Sequence, residues 1–204
     1  MKLSFKLFEY KGTPLYINML FLALFLFLPV NITIFIFITV LLHEMGHIYM
    51  AKKLGYNVEK GFVSIFGGGA LVDESHANND KHAIKIALAG PIVNIVISIF
   101  CFILGIIFLN YEFIFKNIIT LLSINLILAF INLIPVFPLD GGRVLLHSLS
   151  IYLPKKTSTN ISVFISVILS ISFLFYAIKQ SDFLLIAFTI LFTIFNLLRL
   201  KDES

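Results

Sequence analysis

Residues 41–50 read LLHEMGHIYM, and three of them can do chemistry. His43 and His47 stand four apart, so on a helix their imidazoles share one face and can grip a single ion. Glu44 is one step from His43 and offset from that line, placed to take a proton from a water that the ion activates. This is H-E-x-x-H, the arrangement of zinc hydrolases. The bland alternative is a polar cluster that only packs helices. It would leave three ionisable groups idle in an apolar run, where such groups are costly and usually face a cavity or a partner.

A catalytic zinc takes three protein ligands and keeps one position open. The longer zincin signature fails, because Lys53 rather than histidine stands six residues past His47. Asp73, Glu74, His76, Asp80 and His82 sit in LVDESHANNDKH, a stretch that reads as a solvated loop, and His147 follows a turn. Asp140 is the best candidate, because NLIPVFPLDGGR (132–143) reads as a break in an apolar span. Pro135 and Pro138 interrupt the helix, and Gly141-Gly142 are expected to let the backbone turn sharply. Irregular backbone at membrane depth is tolerated where it lines protein or a water-filled cavity. The alternative for Asp140 is a cap or turn aspartate paired with Arg143.

The elements that must hold these groups are membrane spans. The chain has 204 residues, 59% of them hydrophobic and 13% charged. With a mean hydropathy of +1.02 it lacks the polar residues to cover a soluble domain of its size. Crossing a hydrocarbon core takes roughly 20 helical residues. Six spans are expected, near 15–28, 32–51, 83–109, 118–134, 161–178 and 183–198, in an all-α polytopic fold forming one domain over 1–204. The sole cysteine, Cys101, excludes an intrachain disulfide. Basic residues lie between apolar runs rather than in a patch, which argues for topology signals and against nucleic acid. With the N-terminus inside, thirteen Lys and Arg fall in cytoplasmic segments, and only Lys116 and Lys179 fall outside. Both termini are therefore expected in the cytoplasm. On this assignment His47 lies about 8 Å and His43 about 14 Å along the helix from Lys52, beneath the cytoplasmic face.

Between the second and third spans, GFVSIFGGGALV (61–72) combines β-formers with Gly67, Gly68 and Gly69. It reads as a short re-entrant strand or hairpin whose free edge could hold a substrate extended. The alternative is an amphipathic loop on the membrane surface. Asn94, about a turn past Pro91, and Asn132, before the proline break, could bond a substrate backbone or freed helix carbonyls. Pro91 should kink the third span. Gly90 with Ala83, Ala87 and Ala89 reads as close helix packing.

HEMGH in the second span, IFGGGALVDE (65–74), LAGPIVN (88–94) and NLIPVFPLDGG (132–142), in that order, resemble the site-2 protease family of intramembrane zinc metalloproteases. The resemblance covers about residues 15–200. It implies zinc (Zn2+) bound by His43, His47 and Asp140, with Glu44 as the catalytic base. It also tilts Asn94, Asn132 and the glycine run towards positioning substrate or the active-site loop. The nearest likeness is to the sporulation branch of the family. That implies a membrane-associated pro-sigma factor as substrate, inhibitory membrane partner proteins, and a place in the mother-cell membrane around the forespore. Ile, Phe, Asn and Lys abundance fits an AT-rich, spore-forming source. Family members of that branch continue into a CBS domain, and others carry a PDZ domain. Neither is expected within these residues, so nucleotide regulation is not carried over. The competing readings are a relative that releases an anti-sigma factor, a cation transporter, and an inactive client-binding protein. A transporter would set its charges on several spans around a midplane path, and an inactive relative would have lost a base or a ligand.

Overall fold

The computed structural model describes residues 4–18, 21, 24–63, 69–72, 79–181, 186–187, 189–194 and 196. In chain order its elements are strands β1 (Ser4–Tyr10) and β2 (Thr13–Asn18), helices α1 (Leu24–Phe27) and α2 (Val30–Lys53), strands β3 (Val58–Val63) and β4 (Gly69–Val72), and helices α3 (Asp80–Ile107), α4 (Glu112–Leu133), α5 (Asp140–Ser150) and α6 (Lys155–Gln180). Among the described residues four helices, α2, α3, α4 and α6, are long and apolar enough to cross a bilayer. The protein is an integral membrane protein. The chain divides into two compact units, one of Met1–Asn78 with Leu88–Ile131 and one of Asn79–Ala87 with Asn132–Ser204.

Two expectations about the first thirty residues need correction. The fold is not all-α, since it carries a four-stranded sheet in the order β1-β2-β3-β4. Nor do residues 15–28 form a first helical span, because Thr13–Asn18 is a strand and the only helix described there is Leu24–Phe27. The cause is local. Lys11 and Gly12 both adopt positive φ, +50° and +73°, between the paired residues Tyr10 and Thr13. Two such residues make the tight turn whose twist suits a hairpin. An inside–outside alternation runs along β2, with Thr13, Leu15 and Ile17 buried and Pro14, Tyr16 and Asn18 less so, but at six residues it is short beside the apolar run that follows it.

In the first unit the sheet lies beside α2. Leu15 and Ile48, both fully buried, pack where Gly61 of β3 leaves room; a Cβ on Gly61 would come within 2.7 Å of Leu15 and 2.8 Å of Ile48. Ile17 and Phe21 pack on Ile36, Phe37, Val40 and Leu41. Strand β2 therefore runs towards the start of α2, at the depth of its middle turns, while Lys52 Nζ donates to the Lys11 carbonyl at the other end. The expected hairpin after the second span is present: β3 and β4 pair antiparallel, with Phe62 opposite Gly69. Gly67 and Gly68 fall outside the described residues, as do Asp73, Glu74 and His76.

The remaining spans shift modestly from expectation. Helix α3 begins at Asp80, where Asn79 caps it by accepting the His82 N–H, and it continues unbroken through Pro91. The expected span 183–198 is helical at each of its described residues. In the second unit, the eleven-residue helix α5 was not anticipated. Its interior glycines and short length hid it. It is amphipathic, and Leu146 packs with Phe137 and Val163 in a small core.

Candidate metal centre

The H-E-x-x-H residues lie in the third quarter of α2, and His43, Glu44 and His47 are all buried, none more than 6% exposed. One ligand atom from each lies within 4.8 Å of the others. The two Nε2 atoms are 3.1 Å apart. Two nitrogens bound to one tetrahedral zinc at about 2.0–2.1 Å would stand about 3.3 Å apart. The imidazoles are thus already set at the spacing of a shared ion.

The part of α3 in the same unit, from Leu88 on, fixes how they face. His43 Nδ1 donates to Asn94 Oδ1 at 3.1 Å. An amide oxygen only accepts, so the proton is on Nδ1, and Nε2 keeps the lone pair a metal needs. Gly90, one turn earlier on α3, lies directly against both rings. A Cβ there would fall 2.6 Å from His43 Nε2 and closer still to His47 Nε2. Gly46 completes the close approach, since a Cβ on it would meet the Ala89 carbonyl and Val93 at 2.9 Å. Gly90 is close packing, as expected, and what it packs against is the His43–His47 imidazole pair. Asn94 serves the histidine rather than freed helix carbonyls. Its Nδ2 is buried without a partner among the described residues. The donor set, the tautomer and the glycine recess all fit zinc.

The second unit holds the proline break. Asp140 is the first residue of α5 and is 7% exposed. The glycines after it play a different part from the one expected. Neither Gly141 nor Gly142 has positive φ; the described glycines that do are Gly12 and Gly55. They are needed for contact instead. A Cβ on Gly141 would collide with the Leu133 and Ile134 carbonyls, and one on Gly142 would meet the Phe137 nitrogen at 2.9 Å. The first turn of α5 presses on the backbone that precedes it. Asn132 lies near the end of α4 and is half-buried. His147 is engaged elsewhere, its Nδ1 bonded to Asp80 Oδ1 at 2.7 Å.

Residues 31–120 and 111–176 match peptidase family M50. The chain belongs to this family. A zinc metalloprotease of Methanocaldococcus jannaschii is 32% identical over 199 residues, which are 91% of this chain and 57% of that protein. Stage IV sporulation protein FB of Bacillus subtilis is 30% identical over 125 residues, 61% of this chain and 42% of that protein. The chain thus spans about half the length of these relatives. The solved site-2 protease from Methanocaldococcus jannaschii superposes with a TM-score of 0.72 at 30% identity, covering 98% of this chain and 95% of that one. The zinc expected from the motif agrees with the names of these relatives and with the donor set.

Proposed function

We propose that the chain is an intramembrane zinc metalloendopeptidase that cleaves a membrane-associated protein, with the pro-form of a late sporulation sigma factor as its substrate. The observation that carries this is the imidazole pair held 3.1 Å apart at buried positions, with Glu44 adjoining. His43 and His47 are two ligands, and Asp140 is the third. Bound zinc supplies Lewis acidity and brings the pKa of water towards neutrality. Glu44 accepts the proton of the attacking water and passes it to the leaving amine. Asn94 keeps His43 in the tautomer that leaves Nε2 free to bind. Strand β4 is an edge of the sheet, so its outer backbone groups can hold a substrate segment extended, and Gly67, Gly68 and Gly69 are assigned to substrate positioning. Asn132 is assigned to positioning substrate or the active-site segment.

The orientation proposed from charge puts both termini and the Lys52 end of α2 in the cytoplasm. The hydrogen bond from Lys52 to Lys11 supports it, because it brings the N-terminal hairpin turn to the same end as those lysines. Inhibitory membrane partners and a mother-cell location follow from the sporulation likeness and belong to the same proposal. The archaeal metalloprotease matches more of the chain than the sporulation protein does, and this favours release of another anchored regulator, such as an anti-sigma factor, as the second reading.

Co-expression with the pro-sigma factor of the same genome tests the proposal, with Glu44→Gln beside the wild type. Processing lost in the variant is the expected result. Equal processing by both would remove Glu44 from the reaction. Absence of processing by either, with zinc bound, would favour the second reading.

A further inference from the structure

The segment between α4 and α5 is irregular backbone within a span-rich unit, and its polar groups must find partners inside the protein. Most find each other. Val136 N–H donates to Ile134 O at 2.7 Å, Leu139 N–H to Val136 O at 2.9 Å and Gly142 N–H to Leu139 O at 3.1 Å. Phe137 is different. Its N–H donates to Ser166 Oγ of α6 at 2.6 Å, and its carbonyl accepts from Asn196 Nδ2 at 2.8 Å. Both faces of one peptide segment are thus held by side chains from later helical segments. Phe137 itself is 1% exposed, and Asn196 and Ser166 are fully buried.

We infer that Ser166 and Asn196 are positioning residues, which grip the backbone at Phe137 and so fix the start of α5 and the Asp140 carboxylate. This rests on the reading of Asp140 as a zinc ligand. Three observations carry it. Gly142 abuts the Phe137 nitrogen, so the gripped residue and the first turn of α5 cannot move independently. Asn196 gives its amide protons to Phe137 O and Phe192 O, leaving Oδ1 buried without a partner among the described residues. Lastly, Ser162 and Ser170 flank Ser166 on the same face of α6, equally buried, but their hydroxyls have no partner among the described residues. The serine stripe alone therefore does not explain Ser166.

That stripe supplies its own control. The full chain, purified in detergent, is titrated with zinc by equilibrium dialysis and with cobalt(II) by visible absorption, which reports the number and geometry of ligands. Asp140→Asn is the reference for a lost ligand. Ser166→Ala and Asn196→Leu should each weaken zinc severalfold, up to about tenfold, the lower end of what losing a ligand's own hydrogen-bond partner costs. Their cobalt spectra should move towards that of Asp140→Asn. Ser166→Thr, which keeps the acceptor, should restore both, and Ser162→Ala and Ser170→Ala should change neither. If Ser166→Ala does not fold, Ser166→Cys, a weaker acceptor, reads the same contact. Wild-type affinity and spectrum in the Ser166 and Asn196 variants would overturn the inference, as would equal losses from Ser162→Ala. Undiminished zinc in Asp140→Asn would instead overturn the ligand assignment on which it rests.

Discussion

The two regions that carry the proposed zinc ligands hold their side chains by opposite means. His43 and His47 stand on an uninterrupted helix, where spacing alone sets two imidazoles on one face. What the neighbouring helix adds is a recess, Gly90, and one hydrogen bond, Asn94. Asp140 stands where a helix restarts after a break, and no spacing rule places it. Its position depends on two glycines pressed against backbone and on side chains far along the chain that hold Phe137. A regular element carries its geometry in its own sequence, whereas an irregular one borrows it from whatever packs around it.

The comparison breaks most completely at the recess. Gly90→Ala should abolish tight zinc binding, because the new methyl would occupy the space directly against both Nε2 atoms. Overpacking of this kind costs about 1–3 kcal/mol, so the variant should still fold, and dialysis should find it without zinc. Retained zinc with wild-type affinity would mean that α3 can slide from α2, and that the recess is not what sets the pair.

On the other side, Gly141→Ala should be more damaging than Gly142→Ala. The first clashes with two carbonyls of fixed backbone, whereas the second meets its neighbours near 2.9–3.0 Å. Thermal melting should therefore fall further for Gly141→Ala, and its zinc affinity with it. Equal effects would show that the restart of α5 is looser than the geometry implies. Both outcomes bear on what the sequence conveys. H-E-x-x-H was legible because helix periodicity translates directly into a shared face, and the β3–β4 hairpin was legible from its β-formers and glycines. The N-terminal hairpin was not, since its second strand is short and runs straight into the apolar residues 19–28, which together read as one membrane span. Gly141 and Gly142 were legible as special, but for the wrong reason, because close approach and positive φ leave the same residue type. Ser166 and Asn196 left only a faint signal, an asparagine in LFTIFNLL and serines four apart in α6. Nothing local connects them to a residue 29 or 59 positions away.

A smaller change sharpens the account of the histidines. Asn94→Leu removes the acceptor for His43 Nδ1 and should weaken zinc about 10- to 100-fold. Asn94→Asp should hold the imidazole at least as well, since a carboxylate accepts the same proton and raises the ligand's basicity. Zinc affinities in the order Asp, Asn, Leu would fix the role of Asn94 as orienting a ligand. Indifference to all three would leave the helix alone responsible.

The smallest effect is expected one turn before His43. Asn125 of α4, fully buried, donates to Thr39 Oγ1 at 3.0 Å and to the Leu121 carbonyl at 2.9 Å. This ties α4 to α2 on the side of the helix that precedes the motif. A single neutral hydrogen bond contributes about 0.5–1.5 kcal/mol net, so Thr39→Val and Asn125→Leu should each lower thermal stability by about that much. The pair made together should lose less than the sum, since replacing both partners by apolar groups leaves no orphaned donor. Zinc affinity should stay within about twofold in all three, because α2 sets the imidazole spacing through its own backbone. A tenfold loss of zinc in Asn125→Leu would mean that the metal pair, like Asp140, takes its geometry from neighbouring helices, and the contrast between the two regions would fall.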